Sequence, residues 1–234
     1  MNRFKDKVVL VTGGGRGIGA EIARRFEAEG AKVCRADLAN GDIAMDVTDR
    51  AQVAAAMEAV RARHGGLDVL VNNAGLICTG PADKTPGEEW DRLVATNLTG
   101  LFNCIQAALP LMANRAGASI VNIASVSSEK GGGAIGNVWY GTTKAGVVAL
   151  TKGLARELGP RGVRINAISP AVVDTDMTHA MLATELGQKA IARIPLGRLA
   201  EKADVAKAAV FLASEDASFI TGETVAVDGG FLRT

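Results

Sequence analysis

Short apolar runs rich in β-branched residues alternate along this chain with stretches in which apolar residues recur every three or four positions. The first pattern is typical of strands buried in a parallel sheet, and the second of helices with one buried face. The runs predict six strands, at residues 7–11, 31–36, 67–71, 119–123, 162–168 and 224–227. Because helical stretches separate these strands, we predict an α/β fold: one doubly wound, Rossmann-type parallel sheet in a single domain spanning residues 1–234.

The boundaries of several helices are also predicted. Thr48 or Asp49 is the expected N-cap of the second helix. The sequence T-P-G-E at 85–88 predicts a capping box, with proline at the first helical position, that starts a long helix near residue 86. The apolar spacing predicts two later helices, at 145–158 and 203–212.

Composition and charge exclude several classes of protein. A hydrophobic content of 48% and a charged content of 22% over 234 residues are ordinary for a soluble globular protein. A net charge of +1 gives no reason to expect nucleic acid or a membrane surface as a partner. No apolar run approaches the roughly 18 residues of a membrane span, and the first seven residues are polar, so a cytoplasmic location is expected.

The cysteines and histidines do not have the spacing of ligands. Cys34, Cys78 and Cys104 are odd in number and stand among apolar residues, so we expect buried free thiols in a reducing compartment. His64 and His179 are far apart in the sequence. We therefore expect no metal site.

A glycine-rich loop follows the first predicted strand directly and precedes the first predicted helix. Its sequence, at 12–19, is T-G-G-G-R-G-I-G. Glycines let backbone N–H groups approach a pyrophosphate, and the helix N-terminus adds partial positive charge. We predict a dinucleotide phosphate cradle, with an ordinary glycine-rich turn as the alternative. The residues of the predicted cradle are Gly13, Gly15, Arg16, Gly17, Ile18 and Gly19.

Asp37 ends the second predicted strand, eighteen residues after Gly19. A carboxylate at about this offset binds the adenosine ribose hydroxyls and would repel a 2′-phosphate, which favours NAD over NADP. Arg16 favours the opposite choice, because a cation in the loop would pair with that phosphate. We give Asp37 more weight, since it would face the hydroxyls that differ between the two cofactors. The alternative for Asp37 is a simple turn residue.

Polar and small residues follow other predicted strands, at the edge where ligands bind in sheets of this kind. They include the sequences N-N-A-G at 72–75, A-S-V-S-S at 124–128 and S-P-A-V-V-D-T at 169–175. Asn97 lies on or beside an otherwise apolar helical stripe. A buried amide must find partners, so Asn97 is either a structural bridge or part of a proton path, and the bridge is the stronger interpretation from the residue alone.

Tyr140 and Lys144 stand four residues apart near the start of a predicted helix, and so share one face. A free tyrosine titrates near pH ~10, and a neighbouring ammonium lowers that pKa, so the pair is suited to proton exchange. The segment at about 176–194, with its less regular pattern, is interpreted as a mobile helical lid over the cofactor; a surface excursion is the alternative.

Taken together and in this order, these motifs resemble the short-chain dehydrogenase/reductase family in its single-domain form. The resemblance covers nearly the whole chain: the glycine loop at 12–19, N-N-A-G, Asn97, Ser125, Tyr140 with Lys144, and the loop at 170–175. It implies a nicotinamide cofactor and the transfer of hydride between that cofactor and a secondary alcohol or ketone. It also implies a set of site residues. The implied catalytic residues are Asn97, Ser125, Tyr140 and Lys144, and the implied cofactor contacts beyond the glycine loop and Asp37 are Asp46, Val47, Asn73, Ala74, Gly75, Tyr140, Lys144, Pro170, Val173 and Thr175.

The resemblance also implies the role of each catalytic group. Ser125 would bind the substrate oxygen, and Tyr140 would exchange the proton with it. Lys144 would bind the nicotinamide ribose and lower the pKa of Tyr140, and Asn97 would hold a water that links Lys144 to solvent. Asp46 and Val47 would flank the adenine.

Two features depart from the family pattern. Ser125 precedes Tyr140 by fifteen residues, a slightly longer gap than the family leads us to expect, so Ser127 and Ser128 compete for its role. We keep Ser125 because it stands directly after the strand ending in V-N-I-A. Ala171 replaces the glycine that usually follows the proline.

Three functions are therefore compared. The leading hypothesis is an NAD(H)-dependent dehydrogenase or reductase acting on a small or medium, largely apolar alcohol or ketone. The second is an NADP(H)-dependent 3-oxoacyl-thioester reductase, which Arg16 supports. The third, from another class, is a dinucleotide-binding regulatory protein without chemistry, which would need no Asn, Ser, Tyr and Lys set.

Self-association is also predicted. The helices at about 86–113 and 139–158 carry more apolar residues than one sheet face covers, among them Phe102, Val147 and Leu150. We expect these helices to pair with symmetry mates in a homodimer, or in the tetramer that the resemblance implies.

Overall fold

The computed structural model of the protein describes residues 2–132, 136–175, 178, 182 and 184–234. Within this part of the chain, seven strands form one parallel sheet in the order β3-β2-β1-β4-β5-β6-β7. The strands are β1 (Val8–Thr12), β2 (Lys32–Asp37), β3 (Ile43–Ala44), β4 (Val69–Asn72), β5 (Ser119–Ile123), β6 (Arg164–Pro170) and β7 (Thr224–Val227). The predicted bounds of β5 and β7 are confirmed, and β1, β2, β4 and β6 begin one or two residues later than predicted. Only β3 was missed, because two residues carry no recognisable pattern.

Helices cover both faces of the sheet, as predicted. They are α1 (Gly17–Ala28), α2 (Arg50–His64), α3 (Gly87–Val94), α4 (Leu101–Met112), α5 (Ser127–Lys130), α6 (Val138–Leu158), α7 (Glu185–Ala192) and α8 (Lys202–Ala213). A π-helical segment, Ala95–Gly100, joins α3 to α4. One core contains Val53, Ile105 and Val147 from α2, α4 and α6, and the other contains Ile22 and Val205 from α1 and α8. The doubly wound, single-domain α/β fold is confirmed.

The strand order reverses between β1 and β4, which are neighbours in the sheet although β2 follows β1 in the chain. Ligands bind in the crevice at the carboxyl ends of the strands beside such a reversal. The glycine loop follows β1 there, and the N-N-A-G sequence begins with the last residue of β4. The sheet therefore gathers these two motifs at one edge.

The start of the long helix differs from its prediction, and the capping box at 85–88 is wrong. Helix α3 begins at Gly87 with Pro86 as its N-cap residue, which makes no side-chain cap hydrogen bond. The Thr85 hydroxyl instead donates to the carbonyl oxygen of Pro81 (3.4 Å) and accepts from Nδ2 of Asn137 (3.2 Å). The predicted cap at Asp49 is confirmed, because its carboxylate accepts from the N–H groups of Ala51 and Gln52.

Helix α6 begins seven residues before the predicted start at 145. Its N-cap is Asn137, whose Oδ1 accepts from the backbone N–H groups of Trp139 (3.1 Å) and Tyr140 (3.2 Å). Tyr140 and Lys144 consequently both lie inside the first two turns of α6.

The predicted lid at about 176–194 falls partly outside the described residues, at 176–177, 179–181 and 183. The described remainder includes α7, which the Thr184 hydroxyl caps by accepting from the N–H of Gly187. The three cysteines are buried free thiols, as predicted. Among the described helices, none combines the length and hydropathy needed to cross a membrane.

Candidate active site

The glycine loop has a backbone that requires glycine at several of its positions. Gly13 and Gly17 have φ values of +61° and +58°, in the region that favours glycine. A Cβ on Gly19 would overlap the carbonyl oxygen of Gly13, and one on Gly15 would lie 2.7 Å from the carbonyl oxygen of Asn40. Arg16, the N-cap residue of α1, makes no side-chain cap hydrogen bond, so the first turn keeps its N–H groups free of a side-chain cap. A diphosphate fits such a cradle, because the backbone can approach it and the helix end favours its charge.

Asp37, at the end of β2, lies beside this loop. Its Oδ2 accepts a hydrogen bond from the N–H of Gly15 (2.9 Å). Arg16 is exposed on the rim of the same loop. The structure thus brings the two residues that favour opposite cofactors to one loop, with the carboxylate inside and the guanidinium outside.

The amide of Asn73 braces the cradle from β4. Its Nδ2 donates to the carbonyl oxygens of Thr12 (3.1 Å) and Gly13 (3.0 Å). The Thr12 hydroxyl accepts in turn from the N–H groups of Asn73 and Ala74, both at 3.1 Å. Thr12 is not among the predicted site residues, although it stands directly before the glycines. Asn73 therefore stiffens the strand ends, and its predicted contact with the cofactor stays a prediction.

Asp46 and Val47 lie between β3 and α2. The Asp46 Oδ1 accepts from both the N–H and the hydroxyl of Thr48, at 2.8 Å each. Val47 is buried, and its carbonyl oxygen accepts from Nδ2 of Asn103 (3.0 Å). Their predicted place beside the adenine is not tested by these contacts.

Asn97 lies in the π-helical segment, and its amide bridges two parts of the site. Its Oδ1 accepts from the N–H of Leu76 (2.8 Å), while Nδ2 donates to the carbonyl oxygen of Leu76 and to the Thr143 hydroxyl, both at 3.0 Å. Asn97 is therefore a structural bridge, as expected from the residue alone, between the segment after β4 and helix α6. A Cβ on Gly75 would be 3.3 Å from its Oδ1 and 3.5 Å from Nζ of Lys144, so all three residues line one space.

Ser125 is the serine that reaches Tyr140. Burial raises the pKa of Tyr140, and the neighbouring Ser125 hydroxyl opposes that shift, so the two hydroxyls lie side by side. The Ser125 hydroxyl also accepts from the N–H of Ser127 (3.1 Å). The Ser128 hydroxyl is buried without a partner among the described residues. Of the three competing serines, the geometry favours Ser125.

Lys144 is buried near the Tyr140 ring. Its Nζ donates to the carbonyl oxygen of Ile123 (2.8 Å) and lies 5.8 Å from the centroid of the Tyr140 ring. Burial lowers the pKa of Lys144 to about 8 and raises the pKa of Tyr140. In the protein alone, desolvation therefore outweighs any lowering by Lys144, because it penalises both charged forms. The lowering that we expect from Lys144 together with the nicotinamide charge stays a prediction.

The loop after β6 lies beside the residues that follow β5, which include Ser125. Pro170 is the last residue of β6, and its carbonyl oxygen accepts from the N–H of Val126. The Thr175 N–H donates to the Thr178 hydroxyl, which also donates to the carbonyl oxygen of Val173. The N–H of Ala171 donates to Val227 in β7, so the residue that replaces glycine is held in the sheet edge. Over the described residues, no group of three or more histidine, cysteine or carboxylate side chains forms a metal site.

Comparisons with known proteins agree with this arrangement. The family model described as "Enoyl-(Acyl carrier protein) reductase" matches residues 13–232. The 3-oxoacyl-[acyl-carrier-protein] reductase of Thermotoga maritima is 36% identical, over 98% of this chain and 99% of its own. Acetoacetyl-CoA reductase of Rhizobium meliloti is 39% identical, over 96% and 98%.

A solved structure is similar throughout. It is a short-chain dehydrogenase/reductase from Brucella melitensis titled "Glucose/ribitol dehydrogenase", with a TM-score of 0.91, 33% identity and 98% coverage of both chains. The protein belongs to the short-chain dehydrogenase/reductase family. It is accordingly an oxidoreductase that acts on carbonyl and alcohol groups with a nicotinamide dinucleotide.

Proposed function

We propose that the protein reduces the 3-oxo group of an acyl thioester, using Tyr140 as the proton donor. The observation that carries this proposal is the position of the Ser125 hydroxyl beside Tyr140, one turn of α6 from the buried Lys144. The relatives named above support the thioester substrate over the simple alcohol or ketone first expected.

The residues of the chain divide the work as follows. Ser125 and Tyr140 hold the carbonyl oxygen between their hydroxyls, which fixes the carbon that reacts. Tyr140 gives its proton to that oxygen as negative charge develops. The nicotinamide cofactor, when bound, supplies the hydride. Lys144 is expected to hold the nicotinamide ribose, and Asn97 fixes the first turns of α6 by its bond to Thr143.

We further propose that NAD(H) is the preferred cofactor. The carboxylate of Asp37 is held inside the loop by Gly15, where a 2′-phosphate would meet its charge. Arg16 is exposed and would have to turn inward to offset that repulsion. Asp46, Val47, Pro170, Val173 and Thr175 are the further proposed contacts, and the 176–194 segment is the proposed lid.

A panel of substrates and cofactors tests both proposals. With acetoacetyl-CoA and NADH, we expect kcat/KM to exceed the values for a simple ketone and for NADPH by about tenfold or more. In the same panel, Asp37→Ser should shift the ratio of NADPH to NADH activity by roughly tenfold to a hundredfold, because a like-charge contact costs several kcal/mol.

The matched control is Asp83→Ser, which removes the same charge from an exposed site paired with Lys84. Its cofactor ratio should equal that of the wild-type protein. Equal turnover of the thioester and the simple ketone would refute the proposed thioester substrate. A wild-type preference for NADPH would refute the proposed preference for NAD(H).

We propose a homo-oligomer that buries one face of α4 and α6. Leu98, Phe102 and Leu150 line an apolar depression there, and Phe102 is 41% exposed. Val147 does not belong to this face, contrary to the prediction, because it is wholly buried in the core beneath the sheet. Phe102→Glu should lower the mass measured by light scattering at micromolar concentration, whereas Leu196→Glu, at another exposed apolar residue, should not. A wild-type protein that is monomeric would contradict the proposal.

A further inference from the structure

Helix α5 packs on α6 at a point where α6 has no side chain. A Cβ on Gly141 would lie 2.5 Å from the nitrogen of Gly132, 2.8 Å from the carbonyl carbon of Gly131 and 2.9 Å from the carbonyl oxygen of Ser127. Real Cβ atoms essentially never approach other atoms this closely, and all three of these atoms belong to the backbone. A side chain at position 141 would therefore push the end of α5 outward by about 1 Å, since it could not be accommodated by a rotamer change.

Ser127 connects this contact to the catalytic serine. Its carbonyl oxygen faces Gly141 and accepts from the N–H groups of Gly131 (3.0 Å) and Gly132 (3.1 Å). Its own N–H donates to the hydroxyl of Ser125 (3.1 Å). The turn after α5 is thus hydrogen-bonded to Ser127. An outward shift of that turn would therefore also move Ser127, whose N–H orients the Ser125 hydroxyl.

Two more glycines bring the segment between Ser125 and Tyr140 against α6. A Cβ on Gly132, whose φ is +108°, would lie 2.8 Å from the carbonyl oxygen of Asn137. A Cβ on Gly136 would overlap the ring of Tyr140. The segment between Ser125 and Tyr140 is consequently packed closely where it is described, because Gly132 and Gly136 lie directly against the N-cap residue and the tyrosine of α6.

We propose that Gly141 is a positioning residue, which keeps the Ser125 hydroxyl beside Tyr140 by letting the backbone of Ser127 lie directly against α6. This inference rests on the proposed function of Ser125 and Tyr140. Gly141 touches neither substrate nor cofactor in this role; it acts through Ser127.

The test compares Gly141→Ala with Gly153→Ala. Both changes place alanine inside α6, but a Cβ on Gly153 would meet nothing within 4 Å. Gly153→Ala should keep wild-type kcat and raise Tm, because alanine favours the helix. Gly141→Ala should lower kcat by roughly tenfold to a hundredfold, the size of effect that a misplacement of about 1 Å produces. The Kd for NADH should stay within about twofold in both variants, since the cradle is not touched.

A double-mutant cycle with Ser125→Ala shows whether Gly141 acts through Ser125. If it does, Gly141→Ala adds little to the loss in the Ser125→Ala background. Burial raises the pKa of Tyr140 and the Ser125 hydroxyl opposes that rise, so Gly141→Ala should also move the rising limb of the pH profile for alcohol oxidation to higher pH.

The outcomes separate the two proposals. Wild-type turnover of Ser125→Ala would refute the proposed function. If Ser125→Ala lowers kcat and Gly141→Ala does not, the positioning role alone is overturned. Additive losses of kcat in the double-mutant cycle would overturn it as well. A Gly141→Ala protein too unstable to bind NADH would also overturn it, because the glycine would then serve the fold and not the position of Ser125.

Discussion

Replacing Tyr140 with phenylalanine is expected to lower kcat by about 10² to 10⁴-fold, or more if the catalytic groups act as a unit. The change removes the hydroxyl that exchanges the proton and keeps the ring, which packs against Gly136. The Kd for NADH should remain close to the wild-type value. Steady-state kinetics with fluorescence titration of NADH measures both quantities.

The control for Tyr140→Phe is Thr142→Ala, in the same turn of α6. Thr142 is exposed, and its hydroxyl donates within the helix to the carbonyl oxygen of Val138 (2.9 Å). This variant should turn over at the wild-type rate. Substantial turnover by Tyr140→Phe would show that another group moves the proton.

The pH profile of alcohol oxidation reports the pKa of Tyr140 in the working complex. Oxidation needs the deprotonated tyrosine, so kcat/KM should rise with pH through that pKa. Burial raises the pKa of Tyr140 in the protein alone. The charge of the oxidised nicotinamide, added to that of Lys144, should bring the limb below the free value of about 10. A limb above 10 would mean that desolvation still dominates when the site is filled.

Lys144→Met should abolish most activity and weaken cofactor binding, yet make the cofactor-free protein more stable at neutral pH. Methionine fills the buried stem position without a charge, whereas burial lowers the pKa of Lys144 from 10.5 to about 8. A shift of that size corresponds to roughly 3 kcal/mol of stability lost at pH 7. The hydrogen bond from Lys144 to Ile123 offsets part of this loss, so the stability gained by Lys144→Met should be smaller than about 3 kcal/mol.

The pH dependence of this gain follows from linkage. Between about pH 8 and 10.5, the unfolded chain still binds the Lys144 proton and the folded protein does not, so wild-type stability rises with pH. The advantage of Lys144→Met should therefore shrink across this interval, which urea unfolding at several pH values measures. The control is Lys152→Met, at an exposed lysine of the same helix. A Lys144→Met protein that is less stable at pH 7 would contradict the assigned desolvation.

The alternation of apolar runs and helical stripes was enough to predict the sheet, because strands buried on both faces must be apolar and β-branched. β3 escaped detection since a two-residue edge strand buries too little to leave a pattern. The start of α6 was placed late because Gly141 and the threonines beside it interrupt the apolar spacing. Asn137, eight residues earlier than the predicted start, was available as an N-cap residue.

The positions of the site residues follow from the strand ends, and the sequence therefore located Asp37, Asn73, Ser125 and the loop after β6 at one edge. The direction of the Tyr140 pKa shift could not be predicted from the sequence in the same way. Four-residue spacing places a cation near Tyr140, but whether it lowers that pKa depends on how much water reaches both groups. Burial is a property of the packed fold, and spacing alone carries no measure of it.

The brace between Thr12 and Asn73 has a consequence for how the protein is made. Its two residues are 61 positions apart, so the cradle comes into being only after β1 and β4 have paired across a long loop. A nascent chain ending after β2 would carry every glycine of the loop and still lack this support. The dinucleotide is then a ligand of the finished fold: at a hundred times its Kd it would add about 2.7 kcal/mol to stability. The bound dinucleotide stabilises the folded protein and does not assist chains in which β1 and β4 have not yet paired.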